Sequence, residues 1–406
     1  MAILSDILIA RQPILERDQT LYGYEILYRT ANHRTHANII DGDEATTQVI
    51  INSFADLGLS TIVGEAKAFI NLTRNFILGK NPIPIPPNNV VFEILEDIPI
   101  DTELIDAIKS WRHNGYTFAL DDVISIKKIL PILRYVHYAK IDLKSVDRSK
   151  LPTIVSTLLA NKVTPLAEKI ETQKDFHFCS NLGFKLFQGY FFCKPNIIEG
   201  KRLESTRLVL LRSLASLQDP KVDFADLEHI IAQDASLGYK LLRLINSAQY
   251  SMAVEVKSLR QAISLIGITH LRGWMSLLLM ASLENKPHEL TILALTRARM
   301  AELLSIHIGD KKPGQYFIMG LFSVLDALMD MPMEQVLDYL PLDKEIIQAL
   351  LQQKGKMGIV LKSIIAHEYG EMDETLELDI QPGTFSKTYR ETMQWTNALQ
   401  KGFYSQ

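Results

Sequence analysis

The sequence has too few cysteines, too short apolar runs and too little basic charge for several classes of protein. Its two cysteines, Cys179 and Cys193, cannot form a disulfide framework, and free cysteines are typical of a reducing compartment. The longest apolar run, Trp274 to Leu283, is shorter than the roughly 18 to 20 residues of a membrane-spanning helix. The net charge of −4 leaves no basic excess to neutralise nucleic-acid phosphates. We therefore expect a cytoplasmic protein that neither spans a membrane nor binds nucleic acid directly.

A chain of 406 residues is too long for one ordinary core, and its pattern changes near residue 200. Residues 1–200 alternate β-like runs with helical stretches, whereas residues 201–406 show helical patterns separated by short Pro or Gly breaks. About eight strands that alternate with helices predict a TIM-like (β/α)8 barrel. A short polar link joins the first two strands, which predicts an antiparallel first pair. We predict an α/β domain over 1–200 and an all-α domain over 201–406.

The predicted elements of the first domain follow from period-two and amphipathic patterns. The strands are Asp6–Ile14, Leu21–Tyr28, Lys67–Leu72, Asn89–Leu95, Thr117–Leu120, Tyr138–Ile141, Val163–Ala167 and Leu186–Phe187. The helices are Glu44–Leu57, Thr102–Asn114, Lys150–Asn161 and Gln173–Leu182. The proline-rich segment Asn81–Pro87 predicts an extended connector, because proline disfavours helix.

Polar side chains recur at the carboxyl ends of these strands, where barrel enzymes carry their chemistry. They are Glu25, Asn71, Glu93, Asp121, Asp122, Lys140, Glu168, Glu171 and Gln188. Each one alone is more simply a solvated residue or a cap, but this many carboxylates at one mouth would repel each other unless cations lay between them. Mg²⁺ and Mn²⁺ prefer oxygen ligands, and two such ions can clamp the attacking and leaving oxygens of a phosphodiester. Lys140 would then position or help deprotonate the water, with Glu168 as the base.

Short motifs carry a resemblance to a known family over residues 5–200. They are Gln12-Pro13-Ile14, Gly23-Tyr24-Glu25-Ile26-Leu27-Tyr28-Arg29, Asn71-Leu72-Thr73, Glu93-Ile94-Leu95-Glu96, Asp121-Asp122, Lys140-Ile141-Asp142, Ala167-Glu168-Lys169-Ile170-Glu171-Thr172 and Gln188-Gly189-Tyr190. In this order they resemble the motifs of EAL domains, the cyclic-di-GMP phosphodiesterases. The family reads A-E-G-V-E-T where this chain has Ala167 to Thr172.

The resemblance implies a role for each matched residue. Metal ligands correspond to Glu25, Asn71, Glu93, Asp121, Asp122 and Glu168. Catalytic or supporting residues correspond to Lys140, Glu168 and Glu171, and nucleotide-contacting residues to Gln12, Arg29 and Gln188. The implied cofactors are two Mg²⁺ or Mn²⁺ ions, the implied ligand is cyclic-di-GMP, and the implied product is linear pGpG.

The segment after the aspartate pair departs from the family, which reads D-D-F-G-T-G-Y-S-S-L there. This chain has Val123 to Ile129 instead, without a glycine. In the family this loop orders the metal site and takes part in dimerisation, and the glutamate corresponding to Glu96 anchors it. Two alternatives therefore stay open, a phosphodiesterase and a catalytically degenerate receptor that binds cyclic-di-GMP. A homodimer stays open as well.

The second half resembles another family, on the residues Asp234 to Ala248, Ser258 to Gly267, Thr296 to Met300 and Gly320 to Phe322. They are similar to the HDOD domain, a relative of HD-GYP phosphodiesterases that has lost the His-Asp metal ligands. Residues 201–406 contain no His-Asp dipeptide. The resemblance implies a non-catalytic module that regulates the barrel or binds protein partners. A third alternative is that both domains serve only as a protein–protein scaffold.

Overall fold

The structure is a computed structural model in which two compact units, Met1–Phe191 and Phe192–Gln406, divide the chain. It describes residues 7–30, 59–79, 85–195, 267–281, 286–370 and 383–404, and the single residues Leu214, Val256, Ser258, Gln261, Leu378, Ile380 and Gln381. The predicted helix Glu44–Leu57 and the motif from Asp234 to Ala248 lie outside these residues. No helix in the described part is both long and apolar enough to cross a membrane.

The first unit is a closed barrel of eight strands. They are β1 (Ile7–Glu16), β2 (Leu21–Thr30), β3 (Lys67–Leu72), β4 (Val90–Ile94), β5 (Thr117–Leu120), β6 (Tyr138–Asp142), β7 (Thr164–Glu168) and β8 (Leu186–Gln188). Strands β2 to β8 are parallel neighbours in chain order. Strand β1 closes the barrel and runs antiparallel to both β2 and β8. The predicted barrel with an antiparallel first strand is confirmed.

Side-chain caps explain where some of the barrel helices begin. The helices are α1 (Leu59–Val63), α2 (Arg74–Leu78), α3 (Thr102–His113), α4 (Ile126–Ile129), α5 (Leu151–Ala160) and α6 (Gln173–Leu182). Asp101 accepts a hydrogen bond from the Leu104 backbone N at 2.9 Å at the start of α3, which satisfies a donor that the helix leaves unpaired. Thr172 does the same for α6, which ends at Gly183 in the left-handed conformation. Pro87 does not extend the predicted connector but begins a 3₁₀ turn over Pro87–Asn89.

The strand period of two builds an apolar layer with a polar layer above it. The apolar layer consists of Ile14, Phe69, Val91, Ala119, Leu166 and Leu186, and Tyr138 packs against it. Two positions further along each strand lie the polar residues Asn71, Glu93, Asp121, Lys140, Glu168 and Gln188. Gln12 lies two positions before Ile14, because β1 runs in the opposite direction. Alternate residues of a strand point to the same face, so all these polar side chains share the mouth of the barrel.

The second unit is helical throughout its described part. Its helices are α7 (Ile268–Ala281), α8 (His288–His307), α9 (Pro313–Phe322), α10 (Leu325–Met329), α11 (Met333–Leu337), α12 (Lys344–Gln352), α13 (Gly355–Glu368) and α14 (Thr384–Tyr404). Helix α8 is buried along most of its length and packs against α9, α13 and α14. The all-helical second half predicted from the sequence is confirmed for these residues.

Candidate active site

Lys140 lies at the centre of the polar layer and is surrounded by carboxylates. Its Nζ is 3.2 Å from Glu25 Oε1, 3.0 Å from Glu93 Oε1, 3.0 Å from Asp121 Oδ1 and 3.1 Å from Glu168 Oε1, and its side chain is 1% exposed. Burial opposes its charge, but the carboxylates, Glu168 and Glu25 first, outweigh burial and raise the pKa of Lys140 well above its usual value. The surrounding carboxylates therefore favour the ammonium form of Lys140, and its predicted role towards the water stays a prediction.

The next group of residues forms a hydrogen-bonded corner between β1, β2 and β8. Gln188 Nε2 donates to Gln12 Oε1 at 3.0 Å and to Glu25 Oε2 at 2.5 Å. Burial raises the pKa of Glu25, but Lys140, Gln188 and Asn71 together hold it below its usual value. This corner thus keeps Glu25 ionised, which a metal ligand requires.

Glu93 lies beside the same ammonium as Glu25, but among the described residues it lacks the hydrogen-bond donors that Glu25 has. Its side chain is 0% exposed, and neither carboxylate oxygen accepts a hydrogen bond from the described residues. The 3.0 Å approach of Lys140 is an ion pair without hydrogen-bond geometry. Burial raises the pKa of Glu93 well above its usual range against the pull of Lys140, and Glu25 and Asp121 add to the increase. A buried carboxylate with no donor is costly, and a bound cation would satisfy it.

Asp121, Asp122 and Glu168 form the group with metal-ligand geometry in the described part of the chain. Each offers one carboxylate oxygen, and these oxygens lie within 4.8 Å of one another. Burial raises the pKa of Glu168 to about 8, with Lys140 pulling in the other direction and Asp121 adding to the increase. Hard divalent cations prefer such a set of oxygen ligands. The residues present therefore fit the divalent ions that the sequence implied.

The glycine-free segment after the aspartate pair does not move the aspartates away from the mouth. The Asp121 backbone N donates to Ile94 O at 2.9 Å, and Val123 N donates to Lys140 O at 2.9 Å. The main chains of β4 and β6 thus hold the pair on both sides. Asp122 has a φ of +41°, in the left-handed region. The following residues form the short helix α4, and Ile124 is 51% exposed.

The structure brings together most of the predicted site residues, with two qualifications. Glu171 lies outside the carboxylate cluster, since its side chain is about half exposed and pairs with Lys144. Arg29 lies in β2 opposite Leu8, but its side chain is outside the described part. These two residues remain predictions of the sequence.

Two residues next to the cluster had no role in the sequence analysis. Asp142 ends β6 with its side chain 4% exposed, and Lys169 Nζ lies 2.6 Å from Asp142 Oδ2. Lys169 has a φ of +54° and stands where the EAL motif has a glycine. The sequence already contained a sign of this, because Lys169 directly follows Glu168 and replaces a glycine of the EAL motif.

The helical unit has a different kind of buried charge. Arg297 on α8 donates to both carboxylate oxygens of Glu368 on α13, through Nε at 2.9 and 3.2 Å and Nη2 at 2.7 Å. Its Nη1 donates to Ser323 Oγ at 3.2 Å. Burial raises the pKa of Glu368, and Arg297 opposes the increase. The centre of this unit is therefore tied by a forked ion pair between helices.

Two family models match the chain in succession, an EAL domain over residues 7–195 and an HDOD domain over residues 203–363. The Bacillus subtilis (strain 168) protein YuxH is 32% identical over 97% of this chain and 98% of its own length. The Vibrio cholerae cyclic di-GMP phosphodiesterase CdgJ is 34% identical over 87% of this chain and 83% of its own length. The chain belongs to the family of proteins that join an EAL domain to an HDOD domain. Among solved structures, the EAL enzyme Bd1971 with cAMP and cyclic-di-GMP covers 47% of this chain and 62% of its own, at 20% identity and a TM-score of 0.39.

Proposed function

We propose that the barrel binds cyclic-di-GMP and hydrolyses it to linear pGpG with two divalent ions, Mg²⁺ or Mn²⁺. The observation that carries this proposal is the excess of carboxylates around one ammonium. Glu25, Glu93, Asp121 and Glu168 all lie within 3.2 Å of Lys140 Nζ, and Asp122 joins Asp121 and Glu168 in a set of close oxygens. One positive charge cannot neutralise five carboxylates, so bound cations would stabilise the cluster. A relative that is 34% identical carries the name of this activity.

The residues of the mouth divide the work of a phosphodiester displacement. Bound divalent ions would act as Lewis acids towards the water and the phosphate oxygens. Glu168 accepts the proton of the attacking water, because its carboxylate lies at the mouth beside Lys140 and the two aspartates. Lys140 keeps its charge, orients the surrounding carboxylates and faces the negative charge that develops on the phosphate.

Three further residues are proposed to hold the nucleotide. Gln12 and Gln188 are already hydrogen-bonded to each other at the edge of the cluster, where they can contact the substrate. Arg29 would pair with a phosphate, because a guanidinium can donate to two oxygens at once. Glu171 would support the site from the start of α6, after a change of partner from Lys144.

The remaining assignments concern the whole chain. We propose domain limits of 1–200 and 201–406, and a non-catalytic helical unit that controls the barrel or binds a protein partner. The forked pair of Arg297 and Glu368 supports this reading, because each of these two buried charged groups is engaged by the other. We also propose a cytoplasmic setting, since both cysteines are free thiols.

The test of the proposed activity is product formation by the full-length protein. Purified protein is incubated with cyclic-di-GMP and Mn²⁺ or Mg²⁺, and linear pGpG is measured by chromatography. We expect Glu168→Gln to lower the rate by about 100-fold or more, since general-base catalysis contributes roughly that much. Glu103→Gln is the matched control, because Glu103 is exposed on α3 and pairs only with Arg74 among the described residues. Equal rates in wild type and Glu168→Gln would refute the proposed reaction.

A binding measurement beside the product assay separates the enzyme from the degenerate receptor. The receptor alternative rests on the glycine-free segment, with its exposed Ile124. Calorimetry with cyclic-di-GMP and Ca²⁺ measures binding without a need for turnover. Heat of binding without pGpG formation under any divalent ion would favour the receptor alternative. The absence of both binding and product would favour the protein–protein scaffold.

A further inference from the structure

Lys169 occupies a backbone position that does not suit a lysine. It directly follows Glu168 at the end of β7 and has a φ of +54°. A side chain at this φ is strained, and glycine is the residue that adopts it freely. The motif A-E-G-V-E-T has a glycine there. Strain of this kind persists only where other contacts hold the residue in place, so the contacts of the lysine side chain indicate its role.

The ammonium of Lys169 is held in one position by a buried carboxylate. Its Nζ is 2.6 Å from Asp142 Oδ2, while its own side chain is 54% exposed and that of Asp142 is 4% exposed. Asp142 is fixed in turn, since it accepts from the Lys144 backbone N at 2.8 Å and from Ser145 Oγ at 2.8 Å. Lys169 is thus a cation with a defined place at the rim of the barrel.

That place is next to the carboxylates with metal-ligand geometry. Asp142 and Glu168 are partners in the register of β6 and β7. The charges that act on Lys169 include those of Asp142, Asp122 and Glu168. The field of Lys169 therefore overlaps the carboxylates that would hold a divalent ion.

We propose that Lys169 is a fixed cation that weakens the binding of a divalent ion to Asp121, Asp122 and Glu168. This inference rests on the proposed function, because it takes these three carboxylates as metal ligands. The physical reason is repulsion between the ammonium and the ion, together with neutralisation of Asp142, which would otherwise add a negative charge. The barrel then requires a higher concentration of divalent ion than a barrel with glycine at this position.

The test is the affinity of the full-length protein for Mn²⁺ without nucleotide, measured by calorimetry. We expect Lys169→Met and Lys169→Gly to bind Mn²⁺ about tenfold more tightly than wild type at low salt, a change in free energy of about 1.4 kcal/mol. Lys169→Arg should retain wild-type affinity, because it keeps the charge. The difference should shrink in high salt, since Lys169 is half exposed and its field is screened.

The matched control is Lys109→Met, at an exposed lysine whose ion-pair partner is the exposed Asp106 on the same helix, α3. It should leave the Mn²⁺ affinity unchanged. Unchanged affinity in Lys169→Met and Lys169→Gly, tight binding by Lys169→Arg, or no Mn²⁺ binding by any of the proteins would overturn the inference. Lys169→Gly guards against loss of folding, because it removes the backbone strain together with the charge.

A parallel measurement distinguishes this inference from the proposed function. The same proteins are assayed for linear pGpG at saturating Mn²⁺. Tighter Mn²⁺ binding without product in any protein refutes the phosphodiesterase and keeps the role of Lys169. Product formation with equal Mn²⁺ affinities keeps the phosphodiesterase and refutes the role of Lys169.

Discussion

At the scale of single residues, the barrel mouth shows how one ammonium gives neighbouring carboxylates different properties. Glu25 has a lowered pKa because Lys140, Gln188 and Asn71 outweigh its burial. Glu93 has a raised pKa because burial prevails and no described residue donates a hydrogen bond to it. Hydrogen bonds to the charged form, rather than distance to the lysine, separate the two. Of these two carboxylates, Glu93 is therefore the one that a bound cation would stabilise more.

The first prediction concerns this residue in metal-free protein. Glu93→Gln should raise the free energy of unfolding by about 1 to 3 kcal/mol in EDTA, because it removes a buried carboxyl group that accepts no hydrogen bond from the described residues and whose ionisation is opposed by burial and by the neighbouring carboxylates. In Mn²⁺ the order should reverse, since the variant loses a ligand and gains less stability from the ion. Denaturant unfolding with and without Mn²⁺ measures both effects. A variant that is less stable than wild type in EDTA would show that Glu93 does not strain the metal-free barrel.

At the scale of elements, close approach of helices in the second unit depends on a glycine. A Cβ built on Gly320 of α9 would lie 2.5 Å from the backbone O of Arg297 and 2.6 Å from the Cα of Ala298, both on α8. Those atoms are backbone and cannot turn aside. The contact also sets the position of Arg297, whose side chain joins α8 to α13 through Glu368.

The second prediction is that Gly320→Ala destabilises the helical unit by about 1 to 3 kcal/mol, although alanine favours helix. The two helices must separate to admit the methyl group, and this loosens the pair of Arg297 and Glu368. Denaturant unfolding measures the change. Gly309→Ala is the comparison, because it has open space but a φ of +72°, and should cost only about 1 kcal/mol. A larger loss in Gly309→Ala than in Gly320→Ala would contradict the close-packing argument.

At the scale of the whole molecule, the chain consists of two compact units with separate cores. The apolar layer of the barrel lies below the carboxylates, so the proposed ligand and metal would bind to a part of the chain that has its own core. The helical unit has its core around α8. A ligand that binds one folded unit stabilises that unit by mass action.

The third prediction is that calorimetric unfolding shows two transitions with different responses. Cyclic-di-GMP with Ca²⁺ at about 100 times its Kd should stabilise the barrel transition by about 2.7 kcal/mol and leave the other unchanged. Gly320→Ala should shift only the other transition. A single transition that responds to both would show that the two units unfold as one.

Several features of this protein follow from local sequence and were predictable. Strand periodicity and the polar link after β1 predicted the barrel with its antiparallel first pair, because alternation and turn chemistry are local properties. Motif order predicted which polar residues meet at the mouth, since carboxyl ends of parallel strands share one edge. The helical second half followed from its pattern of breaks in the same way.

Tertiary structure decided the chemistry at the mouth, because charge and hydrogen bonding depend on distances between residues far apart in the chain. It placed Lys140 among four carboxylates, which favour its ammonium form. It turned Glu171 outwards to Lys144 and joined Lys169 to Asp142 across β6 and β7. The sequence by itself determined which strands carry the polar residues of this barrel mouth, and only the fold decided which of these residues form hydrogen bonds and ion pairs with each other.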